Sequence, residues 1–261
     1  PKTLSEKAQV PSGLGHFMQA KKILENFSFE KEVNSSIVQK EPVGVCGLIT
    51  PWNWPLNQIA CKVAPALAAG CTMILKPSEE APLSAIIFAE IIEDAKLPDG
   101  IFNLINGNGS ELGVSMSKHL GIDMMSFTGS TRAGVSVAKN SADTVKRVTQ
   151  ELGGKSANII LDDVDFVKAV SKGIFHCMNN TGQSCNAPTR MLIPADKMEE
   201  AINVSKETVL KLKVGDPQDE SISMGPVVNK NQFLKIKEYI SKGIEEGATL
   251  VTGREEIIKD N

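Results

Sequence analysis

From residue 43 onward, short continuous apolar runs alternate with longer stretches in which apolar residues recur at helical period. Residues 43–49 read as a buried strand and 57–69 as a helix stopped at Gly70. A second strand at 72–75 ends before Pro77, and a helix over 83–96 is bracketed by Pro82 and Pro98. A third strand at 102–105, a helix at 110–119, a fourth strand at 122–127 and a helix from Gly129 through Lys139 continue the pattern. This strand–helix alternation with short connections predicts an α/β fold, a mostly parallel sheet covered by helices on both faces.

The character shifts after Val148, which sets an expected domain boundary: residues 1–148 as N-terminal helices and cofactor domain, 149–261 as a second, incomplete domain. Glu151-Leu152-Gly153-Gly154-Lys155 reads as a tight link, followed by a strand at 157–161. Asp165 is placed to cap a helix reaching Met178, since an acidic first turn suits the positive helix end. A loop, a strand at 190–193, a helix at 196–212, a turn at Gly215-Asp216-Pro217 and a long amphipathic helix at 229–246 follow. Residues 248–252 are expected to begin another strand, and residues 2–34 to form one or two polar helices. The chain opens on Pro1 and closes on a charged tail, which reads as part of a longer protein.

Composition narrows the options. A net charge of -3 supplies no basic field for nucleic acid or an anionic membrane, and no apolar run is long enough to span a bilayer. Five cysteines without a CxxC pair, and three scattered histidines, offer no metal-ligand spacing and suit a reducing, cytoplasmic setting.

Five segments carry candidate chemistry. Asn179-Asn180-Thr181-Gly182-Gln183-Ser184-Cys185-Asn186 sets a thiol among small and amide residues rather than apolar ones, as a reactive thiol requires; a loop cysteine without a role fits the same residues. Phe127-Thr128-Gly129-Ser130 joins a strand to a helix start, where free N–H groups suit a phosphate or simply a tight turn. Gly129 and Gly134 have P-loop spacing, but the lysine and hydroxyl residue that would follow are replaced by Val135 and Ser136. Lys76-Pro77-Ser78-Glu79 sits at a strand end, where ligands of open α/β sheets bind, though a solvated strand end explains it too. In Pro51-Trp52-Asn53-Trp54-Pro55, prolines and indoles hold Asn53, either as a preorganised amide donor or as a packing corner. Glu151, beside two glycines at the expected domain junction, reads either as a partly desolvated carboxylate suited to a general base or as an ordinary solvated one.

In this order, and with Ala66-Leu67-Ala68-Ala69-Gly70 and Gly225-Pro226, these segments resemble the NAD(P)-dependent aldehyde dehydrogenase superfamily. The resemblance implies a Rossmann-like cofactor domain, a catalytic domain, and assembly as a homodimer or homotetramer. It implies Cys185 as nucleophile, Glu151 as base, and Asn53 with the Cys185 N–H as oxyanion donors. Lys76 and Glu79 are implied at the adenosine ribose, Ser130 at the pyrophosphate, and Ile49, Thr50 and Trp52 along the cofactor groove; Ser78, Gly129, Leu152 and Gly153 complete the set. The substrate entrance is implied at Trp54, Asn57, Gln58, Cys61, Ser184 and Asn186, with Lys62 where some relatives have a proton-relay lysine. The expected reaction is oxidation of a small-molecule aldehyde to the acid with NAD, or with NADP, through a cysteine thioester and without a metal. A coenzyme-A-acylating enzyme and a non-catalytic structural relative are the alternatives. The chain is about half the usual family length and lacks the later Glu-x-Phe-Gly-Pro segment.

Overall fold

A computed structural model describes residues 1–253. They form two compact units, one spanning Thr3–Gly153 and the other the residues from Gly154 on with Pro1 and Lys2. The chain opens with α1 (Lys2–Leu4), a π-helical turn at Ser5–Gln9, and α2 (Val10–Leu24). The expected helices do not continue to residue 34. Instead β1 (Glu30–Val33) and β2 (Ser36–Gln39) make an antiparallel hairpin with Val33 opposite Ser36. The two-residue turn works because Asn34 adopts φ 55, a left-handed conformation that asparagine tolerates.

A wound sheet follows: β3 (Val45–Ile49), α3 (Pro55–Ala68), β4 (Thr72–Lys76), α4 (Pro82–Asp94), β5 (Phe102–Leu104), α5 (Gly109–Lys118), β6 (Met124–Gly129), α6 (Thr131–Ser141) and β7 (Arg147–Leu152). The strand order is β5-β4-β3-β6-β7, and every pairing is parallel. The helix limits follow local chemistry. Pro55 and Pro82 sit in the first turns of α3 and α4. Gly70, at φ 75, closes the turn after α3 without a Cβ penalty. Asn108 and Ser130 cap α5 and α6 by accepting from the N–H groups of Ser110 and Ala133.

Two cores, one on each face, hold this sheet. Cys46 and Leu48 of β3 pack with Met73 and Leu75 of β4 against Ile59 and Val63 of α3 and Phe88 of α4. Ile49 packs with Met125 and Phe127 of β6 against Met116 of α5 and Val137 of α6. Parallel strands covered on both faces are what the continuous apolar runs require.

The expected boundary near Val148 moves. β7 runs on through Glu151 and Leu152, pairing with Thr128 and Gly129, so these residues belong to the sheet and the division falls at Gly153 and Gly154. The strand reads as a polar link because its burial pattern is largely exposed.

In the second unit, β8 (Ala157–Ile159) pairs in parallel with β9 (Arg190–Leu192), and α7 (Phe166–Met178) packs with α8 (Met198–Val209). Ile160, Phe166, Val170, Ala201 and Val204 form its core. Asp165 caps α7 as expected, accepting from the Lys168 N–H at 3.1 Å. The long amphipathic segment is α9 (Lys230–Glu245), capped by Asn229. Residues 248–252 form no strand, because none of the described strands pairs with them. The expected charged tail lies outside the described residues.

Gly134 lies where α6 packs closely on the Gln150 and Leu152 side chains of β7. A Cβ at Gly134 would stand 2.4 Å from Gln150 Oε1 and 2.7 Å from Leu152 Cδ2. Gly134→Val is expected to destabilise the first unit by about 1–3 kcal/mol through overpacking. A denaturant midpoint unchanged from the parent would contradict this packing.

Candidate active site

All five strands of the wound sheet point the same way, so the loops that follow them gather at one edge of the sheet. The connection after β3 leads toward β4, whereas that after β6 leads toward β7. The crevice between the ends of β3 and β6 is therefore the topological switch point, where open α/β sheets bind ligands. Ile49, Thr50 and Trp52 follow or end β3; Lys76, Ser78 and Glu79 follow or end β4; Gly129 ends β6 and Ser130 follows it; Leu152 ends β7 and Gly153 follows it. Residues scattered over more than a hundred positions of sequence thus share one edge.

Of the two readings of Lys76, the solvated strand end is the one the structure does not show. Lys76 is only 2% exposed, and its Nζ donates to the Pro77 carbonyl at 2.9 Å and to Glu79 Oε2 at 3.0 Å. Glu79 also accepts from the Gly109 N–H at 3.3 Å, at the start of α5. Partial burial works against the charged carboxylate, but its own backbone N–H, the Lys76 ammonium and the Gly109 N–H outweigh it and hold Glu79 below the usual carboxylate range. The result is a carboxylate fixed in place, exposed toward solvent, with its lysine behind it.

Beside these residues a cavity of about 390 Å³ opens between α5 and α6, lined by Ile49, Val114, Phe127, Arg132, Ala133 and Val137 together with polar residues of both helices. Its mix of flat apolar wall and helix-end polar groups suits a heteroaromatic ring. Ser130 Oγ, expected at a pyrophosphate, is used to cap α6 at 3.3 Å from the Ala133 N–H. Thr50 and Thr128, at the ends of β3 and β6, are buried, and their hydroxyls have no partner among the described residues. Buried hydroxyls are nearly always satisfied, so these two fit a ligand or water at the crevice. Thr128 escaped the sequence reading because nothing in the string distinguishes an unsatisfied buried threonine from an ordinary strand threonine.

Helix α3 has two chemical faces. Ile59, Ala60, Lys62 and Val63 are buried toward the sheet. Trp54, Asn57, Gln58 and Cys61, spaced at helical period, form a half-buried stripe on another face. Lys62 Nζ donates to Ser126 Oγ of β6 at 2.8 Å. Burial pulls the Lys62 ammonium down, while the charges of Cys61 and Glu151 pull it back up; the net shift is downward. Burial likewise pushes the Cys61 thiol up, opposed by Lys62 and reinforced by Glu151. Glu151 is therefore close enough to act on both groups.

Of the two readings of Glu151, the structure shows the solvated one. It is exposed, because it lies on β7 at the edge of the sheet, next to Thr128 in register. Asn53 is half-buried in the turn before α3.

One polar neighbour escaped the sequence reading. Asn57 Nδ2 donates to His16 Nε2 of α2 at 3.0 Å, and Gln58 Nε2 donates to Asn57 Oδ1 at 3.4 Å. The helices meet there because Gly13 leaves no Cβ to collide with Leu56, whose Cγ would lie 2.7 Å away.

In the second unit, Cys185 is exposed in a turn closed by the Ala187 N–H donating to the Ser184 carbonyl at 3.2 Å, with Asn186 also exposed. The turn follows a short 3₁₀ segment (Asn179–Gly182) in which Asn180, Thr181 and Gly182 have φ 53, 60 and 71. A β-branched residue at such φ is strained. Side-chain bonds hold the segment: Thr181 Oγ1 donates to the Gly225 carbonyl at 3.1 Å, Gln183 Nε2 donates to the Asn180 carbonyl at 3.1 Å, and the Val228 N–H donates to Gln183 Oε1 at 2.9 Å. The carbonyl of Cys185 lies 3.3 Å from where a Cβ on Gly154 would stand, so glycine there allows the close approach. The described residues contain no cluster able to hold a metal ion and no helix long and apolar enough to cross a membrane.

Residues 4–261 match the profile of the aldehyde dehydrogenase family. The chain is 53% identical over 245 residues to a 3-succinoylsemialdehyde-pyridine dehydrogenase of a Pseudomonas species, covering 94% of this chain and 51% of that protein. It is 47% identical over 253 residues to a putative aldehyde dehydrogenase of Staphylococcus haemolyticus, covering 97% of this chain and 53% of that protein. Among solved structures, a variant of aldehyde dehydrogenase C from Pseudomonas syringae, in complex with NAD+ and octanal, superposes with a TM-score of 0.96 at 50% identity, covering 98% of this chain and 53% of that one. A betaine aldehyde dehydrogenase variant from Staphylococcus aureus, in complex with NAD+, gives a TM-score of 0.90 at 38% identity, covering 94% of this chain and 50% of that one. The chain thus spans about half the length of the relatives it matches. Its parallel sheet, the loops gathered at the strand ends and the match along nearly its whole length lead to one conclusion: the chain belongs to the aldehyde dehydrogenase family.

Proposed function

We propose that the protein carrying this chain oxidises an aldehyde to the carboxylic acid with NAD, by way of a thioester on Cys185. The observation that supports this reading most is the gathering of Thr50, Glu79, Ser130 and Leu152 at the ends of adjacent parallel strands. The residues present fit a dinucleotide. Glu79 would accept from a ribose diol, the cavity between α5 and α6 would take an aromatic ring, and the Thr50 and Thr128 hydroxyls would gain partners. Glu79 also favours NAD over NADP, because a fixed carboxylate repels a 2′-phosphate.

In this mechanism the Cys185 thiolate attacks the aldehyde carbon, and the Asn53 amide with the Cys185 N–H donates to the oxygen as it gains charge. A bound NAD would supply the hydride acceptor that lets the Cys185 adduct become a thioester. Glu151 then takes a proton from the water that cleaves the thioester, returning the thiolate and releasing the acid. Exposure of Glu151 on β7 gives that water access. The retained Glu151 favours water over coenzyme A as the acyl acceptor.

Three outcomes test the roles in the full-length enzyme. Cys185→Ser is expected to abolish reduction of NAD with every aldehyde; near-parental turnover removes Cys185 as nucleophile. Asn53→Ala is expected to lower kcat by about 10²–10³, and a change within a few-fold would take the amide out of the oxyanion site. For Glu151→Gln, rapid mixing should give a burst of reduced NAD followed by a steady rate slowed by about 10²–10⁴. If instead coenzyme A restores the steady rate of the unaltered enzyme, the acyl acceptor is misassigned.

A further inference from the structure

We infer that Thr181 and Gln183 are positioning residues for Cys185: bonded to the segment 225–228, they hold a strained turn in the arrangement that presents the thiol to an aldehyde. The inference rests on the aldehyde-oxidation reading above and names what sets the geometry of its first step.

The turn is unfavourable on its own. Asn180, Thr181 and Gly182 have φ 53, 60 and 71, so three residues in succession are left-handed. Glycine adopts that region freely and asparagine tolerates it, but the branched Cβ of threonine crowds the backbone there. Without a tether, Thr181 would favour an ordinary right-handed or extended conformation, and the residues that follow it would turn with it.

Two side chains oppose that. Thr181 Oγ1 donates to the carbonyl of the buried Gly225 at 3.1 Å. The Val228 N–H donates to Gln183 Oε1 at 2.9 Å, and Gln183 Nε2 turns back to the Asn180 carbonyl at 3.1 Å. The threonine that strains the backbone thus also supplies a bond that retains it. Backbone strain at one residue and one net hydrogen bond are of the same order, so a single bond weighs heavily in how often the turn keeps its shape. A displaced nucleophile reacts slowly, because bond formation requires the reacting atoms to be aligned and close.

The brace is itself held on both sides. Before Gly225, Met224 forms a β-bridge with Val214, and the Gly215 N–H donates to the Met224 carbonyl at 3.1 Å. Pro226 restricts the backbone between the two contacts, and beyond Val228 the Asn229 side chain caps α9, accepting from the Gln232 N–H at 2.9 Å. On the other side of the thiol, Ala187 is only 2% exposed, and its N–H donates to the Ser184 carbonyl at 3.2 Å. Cys185 therefore stands between a braced segment and a buried one, and the direction of its thiol and N–H follows from how firmly residues 181–183 are held.

The test uses the full-length enzyme and, from a panel of linear and aromatic aldehydes, the one that the unaltered enzyme oxidises fastest. Rapid mixing with NAD-saturated enzyme in excess over aldehyde follows a single acylation, so the rate constant does not depend on Glu151. Thr181→Val keeps the branch and the strain but removes the hydroxyl. Its rate constant is expected to fall by about three- to tenfold, the worth of one net hydrogen bond, with the NAD concentration for half-maximal rate unchanged. Thr181→Ser, which keeps the hydroxyl, should stay within about twofold of the parent. Gln183→Met, which removes two bonds, should slow acylation at least as much and gives an independent reading should the valine variant fail to fold. A merely structural role predicts less competent protein that still reacts at the parental rate constant, and that result, or equal rate constants for Thr181→Val and the parent, overturns the inference. Failure of the unaltered enzyme to reduce NAD with any aldehyde of the panel overturns the wider reading, and the role of Thr181 with it.

Discussion

Uniform parallel pairing is the constraint from which the first unit follows. A parallel neighbour can be reached only by a crossover, so each strand must start at one edge of the sheet and finish at the other. Every loop that leaves a strand end then meets its counterparts at a single edge. Because the chain winds from β3 toward β5 and then returns to lay β6 and β7 on the other side, the central pair β3–β6 has connections that part company. The opening this leaves is a consequence of strand order, and it exists before any ligand-binding side chain is chosen. The in-register pairing of Cys46 with Met124 through Ile49 with Phe127 fixes where that opening lies.

Helix α3 shows how one element serves both core and chemistry. Its apolar residues Ile59 and Val63 are buried in the same cluster as β3 and β4, which fixes the rotation of the helix. That rotation aims Lys62 inward at Ser126 and leaves Asn57, Gln58 and Cys61 on the half-buried stripe. Burying an ammonium is unfavourable unless it is hydrogen-bonded and near opposite charge. Ser126 supplies the bond and Glu151 the charge, so the lysine is coupled electrostatically to the carboxylate on β7.

The loop that carries Cys185 is held by different means. Left-handed backbone at Asn180 and Thr181 costs of order 1–3 kcal/mol per residue. The bonds from Thr181 to Gly225, from Gln183 to Asn180 and from Val228 to Gln183 work against that cost and tether the loop. An exposed thiol on a strained, tethered turn is oriented without being covered. That combination suits a nucleophile that has to meet an incoming substrate and also bind it covalently.

Much of this was legible in the string of residues. Apolar period and proline and glycine punctuation located β3, α3, β4, α4, α5, β6 and α6 to within a few residues, because those signals act over one or two turns of chain. Asp165 was readable as a cap for the same reason. The motifs around Asn53, Lys76, Gly129, Glu151 and Cys185 were also visible, since each is a short contiguous pattern. The hairpin at 30–39 was not, as its turn lacks a glycine and its strands are polar and exposed. Nor was the continuation of β7 through Glu151: a strand on a sheet edge has no apolar run to announce it, and only its pairing with Thr128 and Gly129 makes it a strand. Local sequence therefore determined the elements and the kinds of chemical group available. Tertiary structure alone decided which of them face one another: that Glu79 accepts from the Gly109 N–H, that Thr128 is left with an unsatisfied hydroxyl, and that His16 reaches Asn57 across two helices. Those facts depend on contacts between residues distant in sequence, and no local pattern encodes them.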